Sequence, residues 1–161
     1  MKTNFLLFLL FAIILIIDQI TKLLIVRFIP IYGQIEVLTF LNIAHIENTG
    51  VAFGFLSEVN KIPLQAILIA IYIIAIILLI YFLIKDYRRK LAKYGYTLII
   101  TGATGNLIDR IRIGRVIDFI DFHIKGWHYP AFNMADSAIT IGIIIILLDF
   151  IIYKDVKNGT A

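Results

Sequence analysis

The 161-residue chain contains no cysteine, which excludes disulfides, a thiol nucleophile and thiolate metal sites. It has no H-E-x-x-H pair, the layout that sets two histidines on one helix face for zinc. No small-x-small site follows the first apolar run; Asp18, Gln19, Thr21 and Lys22 come instead. That run therefore reads as a retained span, not a cleaved signal peptide. Internal repeats, low-complexity tracts and linkers are also missing, so the length accommodates a single membrane domain over 1–161. The net charge is +4, but the basic residues cluster beside apolar runs without interleaved aromatics. Their role reads as topogenic, and no nucleic-acid partner is expected.

What the chain does have is hydrocarbon. Its hydrophobic share is 61% and its mean hydropathy +0.95, against an apolar share of roughly half in soluble domains. Hydropathy predicts four spans, at about 4–27, 63–84, 94–113 and 135–153, each close to the ~20 residues that cross a hydrocarbon core. The third is the weakest, because it carries Thr97, Thr101, Thr104, Asn106, Asp109 and Arg110. The connection 85–93 holds five basic residues in nine positions, so the positive-inside rule puts it in the cytoplasm. Both termini then face the cytoplasm too, in agreement with Lys2, Lys154 and Lys157.

The connections 28–62 and 114–134 fall outside on this topology. In the first, an apolar segment at about 34–56 alternates Ile35, Val37 and Thr39 against Glu36, Leu38 and Phe40, which suggests short strands. So apolar a sheet is expected to lie on the bilayer or cover a site at its rim. In the second, Trp127 and Tyr129 read as interfacial anchors. The expected fold is a mostly α membrane protein: a bundle of four transmembrane helices with a small extracytoplasmic β-sheet between the first and second spans.

Depth along the helices organises the polar residues. At 1.5 Å per residue, Asp18 lies roughly 20 Å from the cytoplasmic end of the first span and Asp109 roughly 22 Å from that of the third. Asp136 stands in the first turn of the fourth span, and Asp118 just beyond the third. All converge on the outer part of the bilayer, where ionisable groups are costly and mark function. Gly102, Asn106, Asp109 and Ile113 share one helical stripe, with Gly102 and Gly105 permitting close helix approach.

Each residue also has a structural reading. Asp18 and Lys22 are an i, i+4 ion pair. Asp109 beside Arg110 and Arg112 can pin a helix end. Asn133 and Asp136 have the spacing of a capping box. Asp118 and Asp121 read as solvated carboxylates of an interfacial loop, and His45, His123 and His128 as ordinary polar residues. Asp149 lies near the interface and receives no function. From the residues alone three chemistries stay open: an aspartyl hydrolase sharing a proton between two carboxylates, a transporter with a buried charge path, and a Mg²⁺-dependent lipid-phosphate enzyme using Asp109, Asp118, Asp121 and Asp136.

Five blocks, DQITK at 18–22, ENTGVAFGF at 47–55, GATGNLIDR at 102–110, GRVIDFIDF at 114–122 and AFNMADSAI at 131–139, resemble in order the signatures of the lipoprotein (type II) signal peptidases. The resemblance implies a bacterial enzyme of the cytoplasmic membrane, active near its outer face. It implies an aspartic endopeptidase that cuts diacylglyceryl-modified prolipoproteins just before the lipidated cysteine, without metal or cofactor. The implied dyad is Asp118 and Asp136. The implied supporting residues are Asp18, Lys22, Asn48, Gly50, Gly102, Asn106, Asp109, Arg110 and Asn133. The expected partners are the lipid-modified precursor and membrane lipids, and the chain is expected to act as a monomer.

Overall fold

The computed structural model describes residues 2–50, 61–85 and 89–158. Helix α1 (Lys2–Phe28) leads to strands β1 (Gln34–Leu38) and β2 (Leu41–Asn48). Helices α2 (Lys61–Lys85) and α3 (Lys90–Ile113) follow, then β3 (Val116–Ile124), β4 (Trp127–His128) and α4 (Met134–Asn158). Each expected span thus forms a helix, with α3 starting four residues before the expected 94. Val51–Phe55 of the second motif block and Arg88 of the basic connection lie outside the described residues.

Three helices, α1, α2 and α4, are long and apolar enough to cross a membrane. α3 falls short in hydropathy, and its packing explains why. It touches all three other helices, burying Thr97, Thr101, Asn106, Asp109 and Arg110 among them. Its neighbours screen it, so its polar residues bond within the protein. By contrast, no described side chain of α2 from Leu64 onward is buried, and large apolar residues such as Ile67, Ile71 and Ile74 face outward. In water such a surface would be an association patch; in lipid it is already solvated.

Small residues set the α3–α4 distance. A Cβ on Gly95 would come 2.8 Å from the Gly142 carbonyl oxygen, and one on Gly102 would fall onto that of Ala135. The backbones therefore approach where only glycine leaves room.

The sheet is antiparallel in the order β1-β2-β3-β4, which corrects its expected location. Half its strands follow α3, so it is not confined to the connection between the first two helices. Asp118 and Asp121 consequently lie on β3, paired with Ile46 and Asn42 of β2, and not in a loop. The alternation read in residues 35–40 does not divide β1 into a buried and an exposed face, because all five of its residues are exposed. The sheet is seated by Ile117 and Phe119 of β3, which pack on Ile25 of α1 and on Ile29.

Chain reversal after β3 is what returns α4 to the same place. Lys125 (φ 50°) and Gly126 (φ 83°) both adopt positive φ, as a two-residue primed turn requires, and pair Ile124 with Trp127. Further back, Phe132 bridges Ile120, with Ile120 N–H donating to the Phe132 carbonyl at 2.8 Å and Phe132 N–H returning at 3.1 Å. The next residue is Asn133, delivered to the level of Asp118.

Candidate active site

Asn133 joins the two aspartates. Its side-chain amide donates to Asp118 Oδ1 at 2.7 Å, and its backbone N–H donates to Asp136 Oδ2 at 3.1 Å. Its own Oδ1 accepts the Asp136 N–H at 3.0 Å, completing a reciprocal box at the start of α4. The capping reading of Asp136 therefore holds, but it uses one oxygen only. Oδ1 of Asp136 turns to α3 and accepts from Asn106 Nδ2 at 2.8 Å.

Asp118 is held from the other side by Asn48, whose Nδ2 donates to Oδ2 at 2.9 Å. The Asn48 oxygen is occupied by the Gly50 N–H at 2.8 Å, which turns the amide so that its donor faces the carboxylate. Gly50 makes this turn at φ +83°, a conformation that side chains disfavour. Arg110 does not reach the aspartates. Its Nη1 donates to Gln65 at 3.2 Å and to the Thr49 carbonyl at 3.4 Å, fastening the turn that carries Asn48.

Behind Asn106 lies an ion triad. Lys22 Nζ is 3.0 Å from Asp18 and 2.8 Å from Asp109, and donates to Asn106 Oδ1 at 3.0 Å. All four residues are buried. Asp109 thus pairs with α1, and not with the arginines beside it in sequence. Asp18 has a second duty: its Oδ1 accepts the Ala135 N–H at 2.9 Å, so α1 caps an orphan donor in the first turn of α4. Gly105 makes room for this arrangement, since a Cβ there would stand 2.5 Å from Asp18 Oδ2. Breaking such a buried pair by removing one partner typically costs about 3–5 kcal/mol.

Sequence reasoning missed two participants. Gln19 donates to Asp18 at 3.1 Å, to the Gly105 carbonyl at 3.2 Å and to Asp109 at 3.3 Å, stitching α1 to α3. The available signal was a glutamine within an apolar span. Asp121, expected to be solvated, is buried and accepts from Asn42 at 3.0 Å and from His128 Nδ1 at 2.8 Å. Only pairing of β3 with β2 and β4 brings those donors to it. His45 also proves structural, with Nδ1 donating to the Ile29 carbonyl at 2.7 Å.

Electrostatics separates the carboxylates. Burial, with the nearby Asp136 charge adding to it, pushes Asp118 up to about 6 despite the bonds from Asn48 and Asn133. At Asp121 burial also acts upward, but the bonds from His128 and Asn42 and the charges of His128 and His123 outweigh it and hold the group below its ordinary value. The four carboxylates that a Mg²⁺ site would draw on do not converge. Asp109 faces Lys22 and Asp121 faces His128, leaving Asp118 and Asp136 joined through Asn133. A cleft of about 360 Å³ opens beside Asp136, lined by Tyr129, Phe132, Ser137, Thr140 and Ile141.

Residues 10–152 match the family model described as signal peptidase (SPase) II. A lipoprotein signal peptidase of Thermodesulfovibrio yellowstonii is 44% identical over 145 residues, covering 90% of either chain. One from Buchnera aphidicola is 44% identical over 135 residues, covering 83% of this chain and 84% of its own. A solved bacterial membrane enzyme superposes with a TM-score of 0.80 at 40% identity, covering 89% of this chain and 91% of its own. A second does so at 0.76 and 39%, covering 94% and 90%.

Proposed function

The chain belongs to the signal peptidase II family, and from that premise we propose that it is an aspartic endopeptidase whose dyad is Asp118 and Asp136. Membership makes it a membrane peptidase that removes signal peptides from prolipoproteins. The finer reading is that the precursor carries a diacylglyceryl group and is cut just before its lipidated cysteine. It includes four spans, α3 among them, with both termini cytoplasmic and the dyad near the outer face. A lipid-held substrate presents its scissile bond at that rim, where water and hydrocarbon both reach.

One observation carries the dyad. Among the described residues, every buried carboxylate but Asp118 has a basic partner: Lys22 for Asp18 and Asp109, His128 for Asp121, Arg89 for Asp149. Asp118 and Asp136 are bonded by amide donors from Asn48, Asn106 and Asn133. Such donors orient a carboxylate without adding a neutralising positive charge, so a proton can move between substrate and side chain.

In this mechanism Asp136 is the general base and Asp118 holds the shared proton. Asp136 takes a proton from water, whose oxygen attacks the scissile carbonyl carbon. Asp118 gives its proton to the carbonyl oxygen, forming a neutral tetrahedral diol. Asp136 then protonates the leaving nitrogen as the C–N bond breaks, and Asp118 recovers its proton from the diol. Asn106 and Asn133 hold the two carboxylates through both proton transfers. The supporting roles are divided: Lys22, Asp18 and Asp109 fix Asn106 and α4, Gly50 and Arg110 fix Asn48, and Gly102 sets the α3–α4 approach.

The test is cleavage of a purified lipidated precursor by Asp118→Asn and Asp136→Asn. Both are expected to be inactive while remaining folded in membrane, and retained cleavage by either sinks the dyad. Activity is expected to survive EDTA; loss on chelation with rescue by Mg²⁺ would favour a metal-dependent enzyme instead. A precursor without the lipid is expected to be cut poorly.

A further inference from the structure

At the end of the bundle away from the aspartates, α1 and α2 both pack on α3 but, among the described residues, their backbones stay more than 8 Å apart, Cα to Cα. The gap is a groove of about 460 Å³, within the roughly 300–1,000 Å³ of ligand clefts. α3 forms its floor through Lys93 and Ile100, with Phe8 and Phe11 on one wall and Ile80 and Leu83 on the other. Ile100 is six residues short of Asn106 and Phe11 seven short of Asp18, so the groove stops roughly 10 Å from the ion triad. It is a separate site.

We propose that this groove binds one anionic phospholipid of the surrounding bilayer, an acyl chain lying between α1 and α2 and the phosphate resting on Lys93. Three observations support the assignment. First, the lining is almost wholly apolar and faces helices suited to lipid, so hydrocarbon must fill it when the chain is embedded. Second, Lys93 stands in the first turn of α3, level with the end of α2, where a headgroup would lie. Third, among the described residues no carboxylate pairs with it. Asp149, at the same end, is bound by Arg89 Nε at 2.7 Å and by the Ala92 N–H at 3.2 Å. Lys85 and Lys90 add positive charge around the same end. A signal peptide fits this groove less well, because its leading segment is itself positive and would meet Lys93 as a like charge.

Lipid binding to the purified full chain in detergent, followed by native mass spectrometry and by Tm, tests the assignment. The probes are phosphatidylglycerol and phosphatidylcholine with identical acyl chains. The wild type is expected to retain one phosphatidylglycerol and to gain more Tm from it than from phosphatidylcholine. Lys93→Gln is expected to bind phosphatidylglycerol about five-fold more weakly, the usual effect of one lysine beside an anionic lipid, with phosphatidylcholine binding unchanged. Ile80→Trp, which fills the groove from an exposed position, is expected to lower retention of both. Equal binding of the two lipids by the wild type, or an undiminished preference in Lys93→Gln, overturns the proposal. So does an equal Tm gain from inorganic phosphate, or displacement of the bound lipid by a synthetic signal peptide. Both variants are expected to keep peptidase activity, so this outcome is independent of the dyad.

Discussion

Asp118 and Asp121 stand three residues apart on one strand, both buried, yet they differ in kind. Asp118 accepts two bonds from side-chain amides and has a carboxylate neighbour, and burial raises it to about 6. Asp121 accepts from a histidine, and that contact with its neighbours' charges holds it down in spite of burial. Burial is common to both, so it does not account for their opposite shifts. The neighbouring charges do: the histidines beside Asp121 favour its ionised form, whereas the Asp136 charge beside Asp118 opposes ionisation there.

The sharpest way to break that contrast is to neutralise each in turn. Asp118→Asn is expected to abolish cleavage, whereas Asp121→Asn is expected to retain it and lose stability, by about 1–3 kcal/mol for a charge-assisted bond. Comparable activity in the two variants would end the distinction. Next comes pH. If Asp118 supplies the proton, kcat/KM falls above about pH 6, approaching ten-fold per unit. An alkaline limb unmoved from the wild type in Asp118→Glu and in every neighbouring variant would assign it to another group.

The same shift has a stability signature of definite sign. Asp118 binds its proton more tightly folded than unfolded, with a value of about 6 against 3.8. Its contribution is therefore fully present below pH 3.8 and is lost as pH rises through about 6. Relative to Asp118→Ala, the wild type is expected to lose on the order of 3 kcal/mol across that window, measured by denaturation in micelles. Asn48 bonds the ionised form and so lowers the value. Asn48→Ala is expected to move the alkaline limb upward, together with a ten-fold or smaller loss of activity, of the order of one hydrogen bond. The smallest effect belongs to His128→Ala. Asp121 is held below its ordinary value, so its contribution is present above pH 3.8 and lost as pH falls through the lower folded value. The variant is expected to be destabilised at neutral pH, to converge with the wild type in acid, and to cleave at nearly the wild-type rate.

Much of this was legible because membrane helices declare themselves. The runs that became α1, α2 and α4 need hydrocarbon around them, and the acid at Asn133+3 marks a helix start by local geometry alone. Asp18 with Lys22 followed from i, i+4 spacing. The strand β3 was not legible, because VIDFIDFHI acquires its partners from β2, about seventy residues earlier. Nor was the pairing of Asp109 with Lys22, since Arg110 and Arg112 are nearer in sequence and Lys22 arrives from another helix.

The sequence by itself determined the solvent, the helices and the set of polar residues, because hydropathy and helical phase are properties of short stretches. It also carried the five motif blocks that identify the family. Tertiary structure alone decided which of those carboxylates pair with a base and which are bonded by amides. That choice depends on donors supplied from other elements: Asn48 from β2, Asn106 from α3 and Asn133 at the start of α4. A carboxylate's chemistry is set by what surrounds it, and here those surroundings come from across the chain.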